Sequence, residues 1–206
     1  MQRLQLEKEM FESMSNILDA ASAGSRIGGP SFSLRNRMAR GAWNLTWLIL
    51  ARWTPPPLHG WRRFLLRAFG ADVAFTARIY GSTTVWYPPN LRMEDNAVMG
   101  PHANCYNQGM ITIGAQAIVS QYAHLVSGTH NTDSAQFQLY VSPIKISAHA
   151  WVAANAFVGP GVIIGEGAVL GACGVAFRNL EPWTIYAGNP AREIRKRLNY
   201  LISPNI

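Results

Sequence analysis

Between residues 146 and 176 an apolar residue recurs at every sixth position: Ile146, Val152, Val158, Ile164, Leu170 and Ala176. The position after it is small each time, as in Ser147, Ala153, Gly159, Gly165 and Gly171. An amphipathic helix repeats at about 3.6 residues and a half-buried strand at about two, so neither produces a strict six. Six residues suit one short strand plus one turn. The aliphatic points into a narrow prism, and the small residue lets the backbone bend at the corner. Three such units close a triangular coil, and stacked coils bury a continuous apolar column. The chain therefore reads as mainly β, a parallel β-helix of hexapeptide repeats.

The same phase runs earlier in the chain. Ile113, Val119 and Leu125 head one set of hexads, Met93, Met99 and Cys105 another, and Val73, Ile79 and Val85 a third. These sets step by 20 residues, a coil of 18 with two residues added. Between Leu125 and Ile146 the phase breaks for an insertion at 129–143, which a β-helix expels from one corner as a loop. Loops on rigid scaffolds are where function concentrates.

Before residue 71 the pattern is helical. Met10, Met14, Ile17, Leu18 and Ala21 form an apolar stripe that predicts a first amphipathic helix. Gly24 to Pro30 reads as a linker. A second helix is expected from about Leu34 to Trp53, stopped by Pro55-Pro56-Pro57, and a third from Trp61 to Phe69, stopped by Gly70. The chain thus divides into a helical segment at 1–70, the β-helix at 71–187, and a C-terminal helix and tail at 188–206.

Charged residues make up only 14% of the chain, yet the formal net charge is +7. The basic residues cluster at 35–40, 62–67 and 192–197, which fits local anionic partners and not a continuous nucleic-acid stripe. Arginines mixed with Trp43, Trp47, Trp53 and Trp61 suit either a helical cap on the open end of the β-helix or peripheral contact with a membrane surface. Cys105 and Cys173 lie far apart, without metal-type spacing, and read as reduced apolar fillers. Residues 1–19 carry acids where a signal peptide has an apolar run, and no stretch reaches the roughly 18 apolar residues of a membrane span. The expected location is cytoplasmic.

The run VGPGVIIGEGAVLGACGV, followed by WTIYAGNPAREIRKR, resembles the hexapeptide-repeat acyltransferases. Within them, SFSLRNRMARGAWNLTWLILARWTPPPLHGWRRFLLRAFG is similar to the WcaF-like colanic acid biosynthesis acetyltransferases. The resemblance covers roughly residues 31–197. It implies a left-handed β-helix, a homotrimer with active sites between neighbours, and direct acetyl transfer from acetyl-CoA to a hydroxyl of a sugar or exopolysaccharide precursor.

The resemblance also implies roles for residues. The family's catalytic histidine lies in a Gly-Ser/Thr-His segment before the protruding loop, here Gly128-Thr129-His130. A sugar hydroxyl is a weak nucleophile at neutral pH, and histidine suits the work of removing its proton. His130 needs an acceptor for its other ring nitrogen, either Asp133 or a backbone carbonyl; Asn131 stands where many relatives have an acid. Asn107, with Asn104 competing, is a candidate for holding the acceptor or the developing oxyanion, or for merely satisfying a turn. For acetyl-CoA the matching positions are Trp151, Ala154, Ala172, Arg178, Arg192 and Arg195, with arginine suited to phosphate by its planar fork. Ala176-Phe177 departs from the usual Val-Thr.

Two other readings compete. The γ-class carbonic anhydrases share this fold and bind zinc through three histidines, which His102, His124 and His130 bring to mind. Their spacing differs from that class, and the Ala-Gly-Asn-Pro-Ala-Arg tail favours a coenzyme, so no metal is expected. A trimeric scaffold without chemistry is the other.

Overall fold

The computed structural model describes residues 31–133, 135 and 137–198, together with the backbone of Asn16–Leu18. Every hexad leader from Val73 to Ala176 is turned inward and at most 3% exposed. Each such burial contributes on the order of 1–3 kcal/mol, so the column they form is the main stabilising element. The residues two places before the leaders, including Ala77, Ala97, Ala117, Ala150 and Ala168, fill the remaining interior.

The strands form three parallel faces. The first stacks Asp72–Val73, Leu91–Met93, Ile111–Ile113, Ile144–Ile146 and Ile163–Ile164. The second stacks Arg78–Ile79, Val98–Met99, Ile118–Val119, Trp151–Val152, Val169–Leu170 and Thr184–Ala187. The third stacks Thr84–Val85, Asn104–Tyr106, His124–Val126, Phe157–Val158 and Val175–Ala176. Leader sits over leader in each: Ile113 on Met93, Val119 on Met99, Leu125 on Cys105.

The bend falls elsewhere than the sequence reading puts it. The fourth residue of the hexad takes the left-handed conformation, with φ of 57–59° at Asn96, His102, Gln116, Tyr122, His149, Asn155 and Cys173 in their successive hexads. The second residue is small for a different reason. A Cβ on Gly165 would sit 2.6 Å from the Leu180 carbonyl oxygen and the Pro182 nitrogen of the next coil. Close approach of backbones, not the turn, demands the small residue there.

Two helices close the lower end, α1 (Leu34–Leu50) and α2 (His59–Ala68). The lowest coil has alternate carbonyls with no coil beneath to donate to them, and such groups are costly if left unpaired. Side chains of the helices supply the donors. Arg67 Nε reaches Val73 O at 2.6 Å, Arg63 Nη1 reaches Ala77 O at 2.7 Å, and Arg62 Nη1 reaches Ile79 O at 2.8 Å. Trp47 Nε1 serves Gly81 O and Thr83 O, and Trp43 Nε1 serves Val85 O at 2.7 Å. The arginines at 62–67 are therefore spent on the protein's own backbone and not on an anionic partner. Arg62 is fully buried, and burial pushes its guanidinium pKa down from the ordinary value.

Two expectations fail. The C-terminal segment is a strand and not a helix: Arg192–Lys196 pairs antiparallel with Thr184–Ala187. Strand Thr184–Ala187 would otherwise end its sheet with an unpaired edge, and satisfying that edge outweighs the helical propensity of the Arg-Glu-Ile-Arg-Lys run. Of the first amphipathic helix, Ile17 and Leu18 fall in a strand, Asn16–Leu18, antiparallel to Leu139–Val141. Met10, Met14 and Ala21 lie outside the described residues. Among the described residues no helix is long and apolar enough to cross a membrane.

Candidate active site

The insertion leaves at the corner between the third and first faces and is a β-hairpin, Gly128–His130 against Leu139–Val141. Buried Ser127 roots it: its Oγ accepts from Gly109 N–H at 2.9 Å, and its carbonyl accepts from Ser142 N–H at 2.8 Å. A side chain on Gly128 would overlap the Gln108 amide as it stands, so the hairpin packs down on the coil below without displacing that amide because the residue is glycine.

His130 ends the outgoing strand, exposed to solvent. Its Nδ1 lies 2.9 Å from the Phe137 carbonyl oxygen, and its ring stacks on that of Phe137 at 4.5 Å, with planes 8° from parallel. A carbonyl only accepts, so Nδ1 carries the proton and Nε2 keeps a free lone pair. The orienting group is thus the backbone carbonyl of Phe137. Asp133 does not fill that role; its backbone N–H is held by Asn131 Oδ1 at 3.0 Å in a tight turn.

Asn107 is engaged by the neighbouring coil. It is fully buried, its Oδ1 accepts from Tyr87 N–H at 3.0 Å, and its Nδ2 donates to Tyr87 O at 2.7 Å. Both ends of the amide are used to tie one coil to the next. Asn104 sits half-buried in the strand before it.

His130 shares a cleft of about 320 Å³ with Trp86, Tyr106 and Gln108 from the coils below, and with Phe32, Arg37 and Arg40 from around the start of α1. Read from the sequence, residues 86–92 shape the acceptor pocket together with 129–143, which takes in Trp86; the others go unread. A signal was available for Tyr106, which stands 20 residues after Trp86, each directly after an inward leader, Val85 or Cys105. Arg40 lies 4.1 Å over the Trp86 ring and 5.7 Å over Phe32, and its Nε donates to Asn36 Oδ1 at 2.9 Å.

The proposed coenzyme residues divide into two groups. Arg178 and Arg192 line a second cleft of about 290 Å³ at the upper end, with Phe177, Tyr186 and Ala191. Arg195 lies outside it, exposed on the edge strand, donating to the Lys196 carbonyl. Ala154 and Ala172 stack one coil apart at the corner between the second and third faces, joined by Cys173 N–H to Ala154 O at 2.9 Å. Trp151 is exposed on the second face, its Nε1 donating to Ser120 Oγ at 2.9 Å. Within one chain these three are a full face away from His130.

The zinc-type histidines do not converge. His102 stacks on Tyr122 at 4.9 Å, and His124 projects from the third face. Among the described residues no group of three His, Cys, Asp or Glu side chains could hold a metal ion. Both cysteines are free thiols, Cys105 in the core and Cys173 exposed.

No family model matches the chain. It is 40% identical over 157 residues to the "Putative colanic acid biosynthesis acetyltransferase WcaF" of Escherichia coli K12, covering 75% of this chain and 86% of that protein. Two solved structures share the fold. A galactoside acetyltransferase in complex with coenzyme A superposes with a TM-score of 0.74 at 20% identity, covering 84% of this chain and 88% of that one. A hexapeptide-repeat acetyltransferase of Vibrio cholerae complexed with acetyl-CoA superposes at 0.72 and 19% identity, covering 88% and 100%. On the strength of the first relationship, the chain belongs to the acetyltransferase family represented by WcaF.

Proposed function

We propose that the protein is an O-acetyltransferase that moves the acetyl group of acetyl-CoA directly to a hydroxyl of a sugar or exopolysaccharide precursor. The observation that carries this reading is the state of His130. Its Nδ1–H is held by the Phe137 carbonyl, which leaves Nε2 free, and the residue lines a cleft. There it takes the proton of the acceptor hydroxyl as that oxygen bonds to the acetyl carbon. The thioester C–S bond then breaks, and the imidazolium returns its proton to the departing sulfur. Arg178 and Arg192 are suited to the coenzyme's phosphates. The coenzyme complexes of structurally similar proteins support the donor, and the name of the WcaF relative supports the acceptor class.

The reading includes a homotrimer. Ala154, Ala172 and Trp151 lie across a face from His130, so one chain holds only part of a donor groove, and a neighbour brought alongside would complete it. The outer side of the second face offers a surface for that neighbour, with Val98, Ile118, Trp151, Val169 and Ile185 in register. It also includes work in the cytoplasm with peripheral membrane contact. Leu45, Ile49 and Trp53 on and just after α1, and Phe64 on α2, are exposed beside Arg52. Flotation with anionic vesicles checks that contact.

The test of the activity is release of free thiol from acetyl-CoA in the presence of a panel of sugars and glycosides. His130→Ala is expected to lower turnover about 10²–10⁴-fold with the fold intact. Undiminished turnover in that variant contradicts the base assignment, and no thiol release with any acceptor contradicts the activity.

A further inference from the structure

Arg40 is held in place without an ionic partner. Its guanidinium is stacked on Trp86 at 4.1 Å, edged by Phe32, and tethered through Nε to Asn36. Ordering a long cation costs side-chain entropy. Among the described residues no carboxylate is paired with Arg40 or Arg37, and none accepts from the terminal nitrogens of Arg40. Arg37 lies three residues before Arg40, on the same side of α1, and both line the cleft that holds His130. These arginines are unlike those at 62–67, which are consumed by carbonyls of the lowest coil.

Two guanidinium groups and an imidazole lining one cleft set the chemistry of the occupant. A neutral sugar has no use for two uncompensated cations. A fixed planar fork beside a second cation matches a phosphate ester or a diphosphate.

We infer that the acceptor is a sugar carrying a phosphate or diphosphate at its linkage position, with Arg37 and Arg40 binding the phosphoryl oxygens and His130 facing a hydroxyl of the attached sugar. This rests on the acetyltransferase reading of the same cleft. The same chemistry arises in a nucleoside-diphosphate sugar and in a lipid-diphosphate-linked sugar.

The experiment is a calorimetric titration of the full chain, presaturated with coenzyme A so that the donor's own phosphate sites are filled, with inorganic pyrophosphate. Saturable binding is expected. It should weaken at least about tenfold in Arg40→Ala and in Arg37→Ala, the loss of one charge-assisted hydrogen bond or more. It should be unchanged in Arg35→Ala, a control for bulk charge on the same helix. Arg37 is exposed, so its variant remains informative even if Arg40→Ala disturbs the packing around Trp86. Displacement by uridine diphosphate or by farnesyl diphosphate then distinguishes the nucleotide source from the lipid source. No saturable binding to the wild type, binding undiminished in both variants, or pyrophosphate that neither diphosphate displaces would each overturn the inference. Thiol release measured in parallel separates the two claims. Acetylation of neutral glycosides without pyrophosphate binding sinks the phosphate site alone, and pyrophosphate binding without acetylation of any acceptor sinks the transferase reading alone.

Discussion

The imidazole of His130 lies flat on the phenyl ring of Phe137 and donates its Nδ1 hydrogen bond to the backbone carbonyl of that same residue. One residue in the loop just before the returning strand therefore sets both the tilt of the ring and which nitrogen is free. A change in the Phe137 side chain leaves the carbonyl in place and removes only the stacking, so the two effects can be separated.

Phe137→Ala is expected to lower the turnover number about 3–10-fold while leaving the KM for acetyl-CoA near wild type, because the ring loses a contact of about 0.5–1.5 kcal/mol. Asp133→Asn should change neither, since the Nδ1 proton of His130 goes to the Phe137 carbonyl and not to a carboxylate. Steady-state kinetics by thiol release checks both. A large drop in Asp133→Asn would return the carboxylate to the mechanism.

Asn107→Ala tests stability and not chemistry. It removes two hydrogen bonds from a fully buried site and leaves the Tyr87 N–H without its partner, while the Tyr87 carbonyl keeps only the Asn90 N–H at 3.0 Å. The expected cost is about 2–3 kcal/mol in urea unfolding. Per folded molecule, turnover should be unchanged; a specific loss of turnover with stability retained would restore Asn107 to the active site.

Acid sensitivity should follow His59. Burial is the main cause that lowers its pKa below the ordinary value of 6.5, and the positive charges of Arg62, Arg78 and Arg63 add to it, against the Ile79 hydrogen bond. The unfolded chain then binds this proton more readily than the folded one, so stability falls as pH drops below about 6.5 toward the folded value. The thermal midpoint of the wild type should decline between pH 8 and pH 5 more steeply than that of His59→Gln. Equal slopes would remove His59 as the source.

Two glycines make opposite cases. Gly165→Ala drives a Cβ against backbone of the next coil at 2.6 Å and should destabilise by about 1–3 kcal/mol. Gly41, in α1, has nothing within 4 Å of the added atom, and Gly41→Ala should stabilise by about 0.5–1 kcal/mol. Chemical denaturation of the two variants side by side reads the contrast.

The period of six announces the inward column without exception from Val73 to Ala176, because burial on a narrow axis tolerates only small and aliphatic side chains. The corners are illegible by comparison. Asn96, His102, Gln116 and Tyr122 share a backbone conformation but no side-chain chemistry, so no residue type marks them. His130 is singled out by the resemblance, through Gly128-Thr129-His130, and its Phe137 partner on the far side of the loop is not written in that motif. The role of Asn107 is not readable, since its partner Tyr87 lies one coil away and is reached through the backbone. The Arg-Glu-Ile-Arg-Lys segment misleads for a related reason: its conformation is decided by an open strand edge elsewhere, which local propensity does not see.

The helices that satisfy the carbonyls of the lowest coil also decide how the molecule meets its own kind. A parallel stack of coils offers, at each end, a template on which another stack could continue, and repetition by itself supplies no instruction to stop. Indoles and guanidinium groups plug one end, and the antiparallel strand Arg192–Lys196 turns back along the other. At the plugged end a second stack finds those carbonyls already taken, where a bare repeat would have offered a template for growth.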